Sequence, residues 1–173
     1  MADFEERRLP VGIQSFKEIR RNNYAYVDKT EIVWNLVNRG KKYNYLSRPR
    51  RFGKSLLVDT LQTYFEGRCD LFEGLKIMNL EKEWKKSPVI RLDMSRAGAS
   101  EKTIRSYLSM AFSREEAKYG ITMHEGASLA DRFDTIIQTA CQQTGESVAI
   151  LIDEYDSPLQ HSWKTPDHEA CTA

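Results

Sequence analysis

Val148-Ala149-Ile150-Leu151-Ile152 is an apolar run without polar alternation, and Asp153-Glu154-Tyr155-Asp156 follows it directly. A strand facing water on one side alternates apolar and polar residues. An unbroken run suits a strand covered on both faces, as in a parallel sheet. Parallel neighbours are joined only through a crossover, usually helical, so the run commits the chain to strands alternating with helices. Pro88-Val89-Ile90-Arg91-Leu92-Asp93 supplies another strand. Between the two, Ser100 begins a helix whose inner face is Ile104, Tyr107, Leu108, Ala111 and Phe112. A second helix carries Leu129, Phe133, Ile136, Ile137 and Ala140 at helical spacing, and Gly145 ends it.

The first half is read the same way. Tyr24 to Val27 is strand-like, and Thr30 would cap a helix with Ile32, Val33, Leu36 and Val37 on its apolar face, stopped by Gly40. Tyr43 to Ser47 reads as a strand. Gly53 to Phe65 reads as a helix with Leu57, Leu61, Tyr64 and Phe65 on one side. At 173 residues the chain is sized for one domain, 1–173. The class expected is α/β, a P-loop NTPase-type parallel sheet flanked by helices, and incomplete.

The junction between the strand ending at Ser47 and the helix starting near Lys54 carries the first chemistry. A helix N-terminus offers unpaired N–H groups and partial positive charge, which together favour phosphate. Gly53 would let the backbone approach a phosphate, Lys54 would reach the β/γ oxygens, and the Ser55 hydroxyl would face magnesium. The triplet alone is weak; its setting after a strand and before an amphipathic helix strengthens it. The general loop pattern has glycine five positions before Gly53, where this chain has Arg48. Arg48, Arg50 and Arg51 make the loop cationic and could add charge-assisted phosphate contacts, while Pro49 removes one backbone donor. An ordinary basic loop opening a helix would look similar.

The second element is the acidic turn after the apolar run, at the carboxyl end of a strand, where α/β sheets bind ligands. Asp153 there would orient a magnesium shell, and Glu154 would polarise the attacking water. Alone, the turn could equally be a solvated acidic bend before Pro158. Other constellations are weaker. His161, His168 and Cys171 match no standard zinc spacing and read as solvated tail residues. Glu116-Ala117-Lys118 falls on a helical pattern and reads as a solvent face. Asp93 and Ser95 lie either near a nucleotide or in a capping turn.

Composition bears on partners and setting, and leaves nucleic acid possible but unsupported by net charge. Lys plus Arg number 26 against 25 Asp plus Glu, a net charge of +1, so no whole-surface attraction draws in nucleic acid or anionic membrane. No apolar run approaches the roughly 20 residues needed to cross a bilayer, and the acidic N-terminus lacks a secretory pattern. Three scattered cysteines form no pair motif. A cytoplasmic setting is expected.

Several motifs together resemble the AAA-ATPase-like family found in many bacteria. Leu9-Pro10-Val11-Gly12-Ile13-Gln14-Ser15-Phe16 resembles its opening motif and Tyr26-Val27-Asp28-Lys29-Thr30 its second. Leu46-Ser47-Arg48-Pro49-Arg50-Arg51-Phe52-Gly53-Lys54-Ser55-Leu56 is similar to its phosphate loop, arginine at the Arg48 position included. Tyr64-Phe65-Glu66-Gly67, Phe72-Glu73-Gly74-Leu75, Trp84 with Pro88-Val89-Ile90, and Leu151-Ile152-Asp153-Glu154-Tyr155-Asp156 also match. The resemblance implies ATP held by the Arg48–Leu56 loop and magnesium at Ser55 and Asp153. It makes Lys54 and Glu154 the catalytic pair. It also implies a longer protein with a C-terminal nuclease-like domain. The expectation is an ATPase module that turns over only in that longer context, or else a nucleotide-binding switch without turnover. A small-molecule kinase would need an arginine-rich lid after the acidic turn, which this sequence lacks.

Overall fold

The computed structural model describes residues 7–47, 49 and 51–163. These hold seven α-helices and two strands in two compact units, Met1–Lys86 and Ser87–Ala173. No helix among the described residues is long and apolar enough to cross a membrane.

The first unit is helical, with α1 (Phe16–Arg21), α2 (Thr30–Asn38), α3 (Lys54–Phe65) and the short α4 (Ile77–Leu80). Ser15 opens α1 by accepting the Glu18 N–H at 3.3 Å. Aromatic rings fill the centre: Phe16 lies 4.8 Å from Phe72, Phe72 5.0 Å from Trp84, and Trp84 5.6 Å from Tyr64. Val33, Leu75 and Ile77 close around them. Burying an aromatic ring of this kind is worth about 2–3 kcal/mol in transfer free energy, so the cluster is the main reason the unit coheres.

Asp28 ties α2 to α4. One carboxylate oxygen accepts the Thr30 N–H at 2.9 Å and the Thr30 hydroxyl at 2.7 Å, and the other accepts the Lys76 N–H at 2.7 Å. The fully buried Thr30 hydroxyl accepts in turn from the Ile77 N–H at 3.2 Å. Two helix starts are thereby satisfied by neighbouring side chains. Thr30 is thus the first residue of α2, and the capping oxygen is that of Asp28.

Two expected strands do not form here. Tyr24 to Val27 is irregular, its Ala25 N–H bonded to the Arg8 carbonyl at 2.9 Å. Tyr43 to Ser47 is also irregular, with Tyr43 83% and Tyr45 69% exposed. A strand needs a neighbour to pair its N–H and C=O groups, and the strands among the described residues pair only with each other. Ile32, expected on the inner face of α2, is exposed.

The second unit contains the sheet. Strand β1 (Val89–Asp93) pairs in parallel with β2 (Ala149–Asp153), from Val89↔Ala149 to Asp93↔Asp153. The crossover is α5 (Glu101–Tyr119) and α6 (Leu129–Thr144), opened by Ser100 and Ser128 and ended by left-handed Gly120 and Gly145. Ile90 and Leu92 pack under Phe112 and Ile136, and Phe112 stacks on Phe133 at 5.2 Å. Helix α7 (Ser157–Ser162) follows β2.

Strand β2 is not covered on both faces as its sequence suggested. Ile150 and Ile152 are 41% and 48% exposed, and β2's second edge has no partner among the described residues. Glu116 also departs from expectation. It is buried and takes both Nε and Nη2 of Arg132, at 2.7 and 2.8 Å, while Nη1 of Arg132 bonds the Ser109 hydroxyl at 2.7 Å. An ion pair at two forked bonds locks α5 to α6. The sequence pattern missed it because charged residues default to the surface.

Burial alone would push the Asp28 carboxyl up, but hydrogen bonds from Thr30 and Lys76 outweigh it and hold it below the ordinary 3.8. Asp28→Ala is expected to cost the first unit about 2 kcal/mol at neutral pH, measured by denaturant unfolding. With its folded pKa depressed, Asp28 contributes fully above the ordinary value, and the contribution is lost as pH falls through the depressed one. The gap between wild type and variant should therefore narrow only in acid. A gap unchanged from neutral to acid pH would contradict the clamp.

Candidate functional site

In the first unit, Arg51, Phe52 and Gly53 lead into α3. Arg51 has φ +68° and Gly53 φ +76°, both left-handed. That conformation is ordinary for glycine and uncommon for arginine. A Cβ placed on Gly53 would meet nothing within 4 Å, so glycine is required here by the backbone angle and not by crowding. Phe52 is 63% exposed. Arg48 and Arg50 lie outside the described residues.

No side chain caps α3, and no acidic residue stands in its first turn. The N-cap glycine has no side chain to offer those N–H groups, and the partial positive charge of a helix N-terminus suits an anion. Lys54 and Ser55 occupy that first turn, half-buried, and Leu56 packs against the aromatic core. Further along, α3 is firmly held. Asp59 accepts the Phe16 N–H at 2.7 Å, the Thr60 and Thr63 hydroxyls bond back one turn at 2.7 Å, and Glu66 pairs with Lys17 at 2.5 Å.

In the second unit, β2 ends at Asp153, which is buried. Asp153 Oδ1 accepts the Glu154 N–H at 3.0 Å, and Oδ2 faces Arg91 Nη2 at 3.9 Å. Glu154 adopts φ +49°, a left-handed conformation that costs a residue with a side chain free energy. Strain of this kind concentrates at functional positions. The Ser157 N–H bonds the Glu154 carbonyl at 2.9 Å and closes the turn into α7. Asp156 Oδ2 accepts from Gln160 at 2.5 Å, while its Oδ1 is buried with no hydrogen-bond partner among the described residues.

Asp93 stands opposite Asp153 in register, and its carboxylate accepts the Ser95 N–H at 3.1 Å and hydroxyl at 2.6 Å. Of the two roles open to Asp93 and Ser95, the capping turn is present. Sequence reasoning passed over Arg91, although a lone arginine inside an apolar strand, two residues before an acid on the same face, was a usable signal.

A group of three or more His, Cys, Asp or Glu placed to hold a metal ion is absent among the described residues. A lone carboxylate such as that of Asp153 is the kind of oxygen donor that suits magnesium. That ion usually keeps several waters and binds through one or two carboxylates plus phosphate. Of the imagined zinc ligands, His168 and Cys171 lie outside the described residues.

A family model described as AAA-ATPase-like, a predicted AAA-ATPase, matches residues 10–172. An uncharacterised protein encoded in the vnfD 5′ region of Azotobacter chroococcum mcd 1 is 36% identical over 163 residues. The match covers 93% of this chain and 31% of that protein, so the chain spans about a third of that relative's length. No solved structure matches the chain.

The left-handed backbone at Glu154 predicts an inverted order of substitutions. Glu154→Gly should be more stable than Glu154→Ala by about 1 kcal/mol, because alanine keeps the strain and glycine removes it. Chemical denaturation of the two variants checks this; equal stability would mean that the turn relaxes freely.

Proposed function

The chain belongs to the predicted AAA-ATPase family, and from that premise we propose that it binds ATP with magnesium and hydrolyses it as part of a longer protein. The observation that carries the reading is the start of α3: a left-handed glycine, an uncapped helix N-terminus and then Lys54-Ser55. The amides of that first turn hold phosphate oxygens, Lys54 supplies a mobile charge at the β/γ positions, and the Ser55 hydroxyl serves the metal. The exposed Arg51 adds charge toward phosphate, as Arg48 and Arg50 do in the same loop reading.

The residues after β2 supply the rest. Asp153 orients the water shell of magnesium. Glu154, one residue on, takes a proton from the attacking water. Magnesium itself, when bound with the nucleotide, neutralises charge that develops on the phosphates. The division of labour is chemical: a buried carboxylate held by an amide and an arginine makes a fixed ligand, and the more exposed carboxylate beside it makes a base.

ATP binding without turnover is the second reading, and one feature favours it for this chain taken alone. Strand β2 has an unpaired edge among the described residues, where a further strand would bring a polar group toward the γ-phosphate. A C-terminal nuclease-like domain in the longer protein belongs to the same proposal.

Lys54→Ala should remove most ATP affinity in calorimetry; unchanged affinity would sink the assignment of the loop. In the longer protein, Glu154→Gln should keep ATP bound and abolish turnover, since the amide keeps shape and loses basicity. The chain alone should hydrolyse ATP negligibly. A brisk magnesium-dependent rate from it, lost in Lys54→Ala, would show that nothing further is needed.

A further inference from the structure

We infer that Arg91 is a positioning residue for Asp153, setting the direction in which that carboxylate meets magnesium; this rests on the reading of Asp153 as the magnesium-orienting acid. Ile90 and Leu92 face the helices α5 and α6. Because side chains alternate along a strand, Arg91 and Asp93 point to the opposite face. The register Asp93↔Asp153 puts Asp153 on that same face, one diagonal step from Arg91. Arg91 stands on the side away from the helical cover, and the buried carboxylate of Asp153 lies diagonally across the ladder within ion-pair range of it.

The geometry separates steering from clamping. At 3.9 Å the guanidinium is too far from Oδ2 for a direct hydrogen bond, so it acts through charge and leaves that oxygen's lone pairs open. The other oxygen, Oδ1, is taken by the Glu154 N–H at 3.0 Å. One oxygen is thus pinned by the backbone of the neighbouring base. The other is aimed by a cation whose side chain is 30% exposed, against 7% for the Asp153 side chain. A forked pair would have occupied one acceptor site on each oxygen and left fewer for a metal's waters. The single amide bond plus an offset charge fixes orientation while keeping one oxygen in play. Groups behind a ligand that orient it in this way typically change metal affinity 10–100-fold when removed.

The test is the magnesium dependence of ATP binding to this chain, measured by calorimetry at fixed ATP, with binding in EDTA and thermal unfolding as controls. Arg91→Met keeps the stem and removes the charge. It should raise the half-saturating magnesium concentration about tenfold, with binding in EDTA and the unfolding midpoint close to wild type. Arg91→Lys, which keeps the charge, should recover most of the shift. Arg91→Gln serves with the same expectation if the methionine variant does not fold. An unchanged or lowered magnesium requirement in the Arg91 variants, beside a raised one in Asp153→Asn, overturns the inference and leaves the reading of Asp153 standing. Equal losses with magnesium and in EDTA also overturn it, since they mark a role in the fold alone. If Asp153→Asn leaves the magnesium requirement unchanged, or wild type binds ATP without regard to magnesium, the reading of Asp153 fails and this inference with it.

Discussion

A helix that offers its first amides to a ligand cannot be stabilised at that end by its own side chains. Capping is worth about 1 kcal/mol, and α3 forgoes it. Its stability has to come from further along, and the first unit is arranged accordingly. Asp59 holds the start of α1, Glu66 holds Lys17, and Tyr64 brings a ring into the aromatic cluster while its hydroxyl donates to Glu81. Burial, with the Glu81 contact adding, pushes that Tyr64 hydroxyl up to about 12, so it stays a donor at any ordinary pH. The motifs strung along the first 86 residues are therefore one device. Asp59, Thr60, Thr63, Tyr64 and Glu66 hold the body of α3, while Asp28 ties α2 to α4 beside it.

How much of this could be read beforehand depended on how local the cause was. Helices α5 and α6 were legible from apolar residues at helical spacing, with Ser100 marking the start of one and Gly145 the end of the other; Ser128 and Gly120, which bound them as well, were passed over. The strands β1 and β2 were legible from apolar content, and their parallel pairing from the helices between them. Tyr43 to Ser47 has the composition of a strand and none of the pairing, because a ladder requires a neighbour that composition cannot promise. The burial of Glu116 was hidden for a related reason. Its partner Arg132 sits on another helix, and nothing near Glu116 in sequence announces it.

The same contrast holds at the candidate site. Gly53-Lys54-Ser55 and Asp153-Glu154 are contiguous, so their chemistry could be proposed from order and setting. The left-handed angles at Arg51 and Glu154 could not, since neither residue type favours them. Nor could the diagonal from Arg91 to Asp153, which exists only once the strands are in register. Sequence thus named the groups that would touch a ligand. The backbone angles and the residue behind the carboxylate came from the fold.

The pairing of β1 with β2 also sets an order of events during synthesis. Contacts that define the first unit, such as Phe16 on Phe72 and Asp28 on Lys76, are all available once residue 86 has emerged. Val89 must wait for Ala149, sixty residues later. At ribosomal speeds of about 5–20 residues per second, that interval is roughly 3–12 s. Over that time β1 is unpaired, and its Ile90 and Leu92 still lack the helices that will cover them. Until α5 and α6 emerge, those two side chains are exposed apolar surface of the kind that makes a nascent chain prone to association.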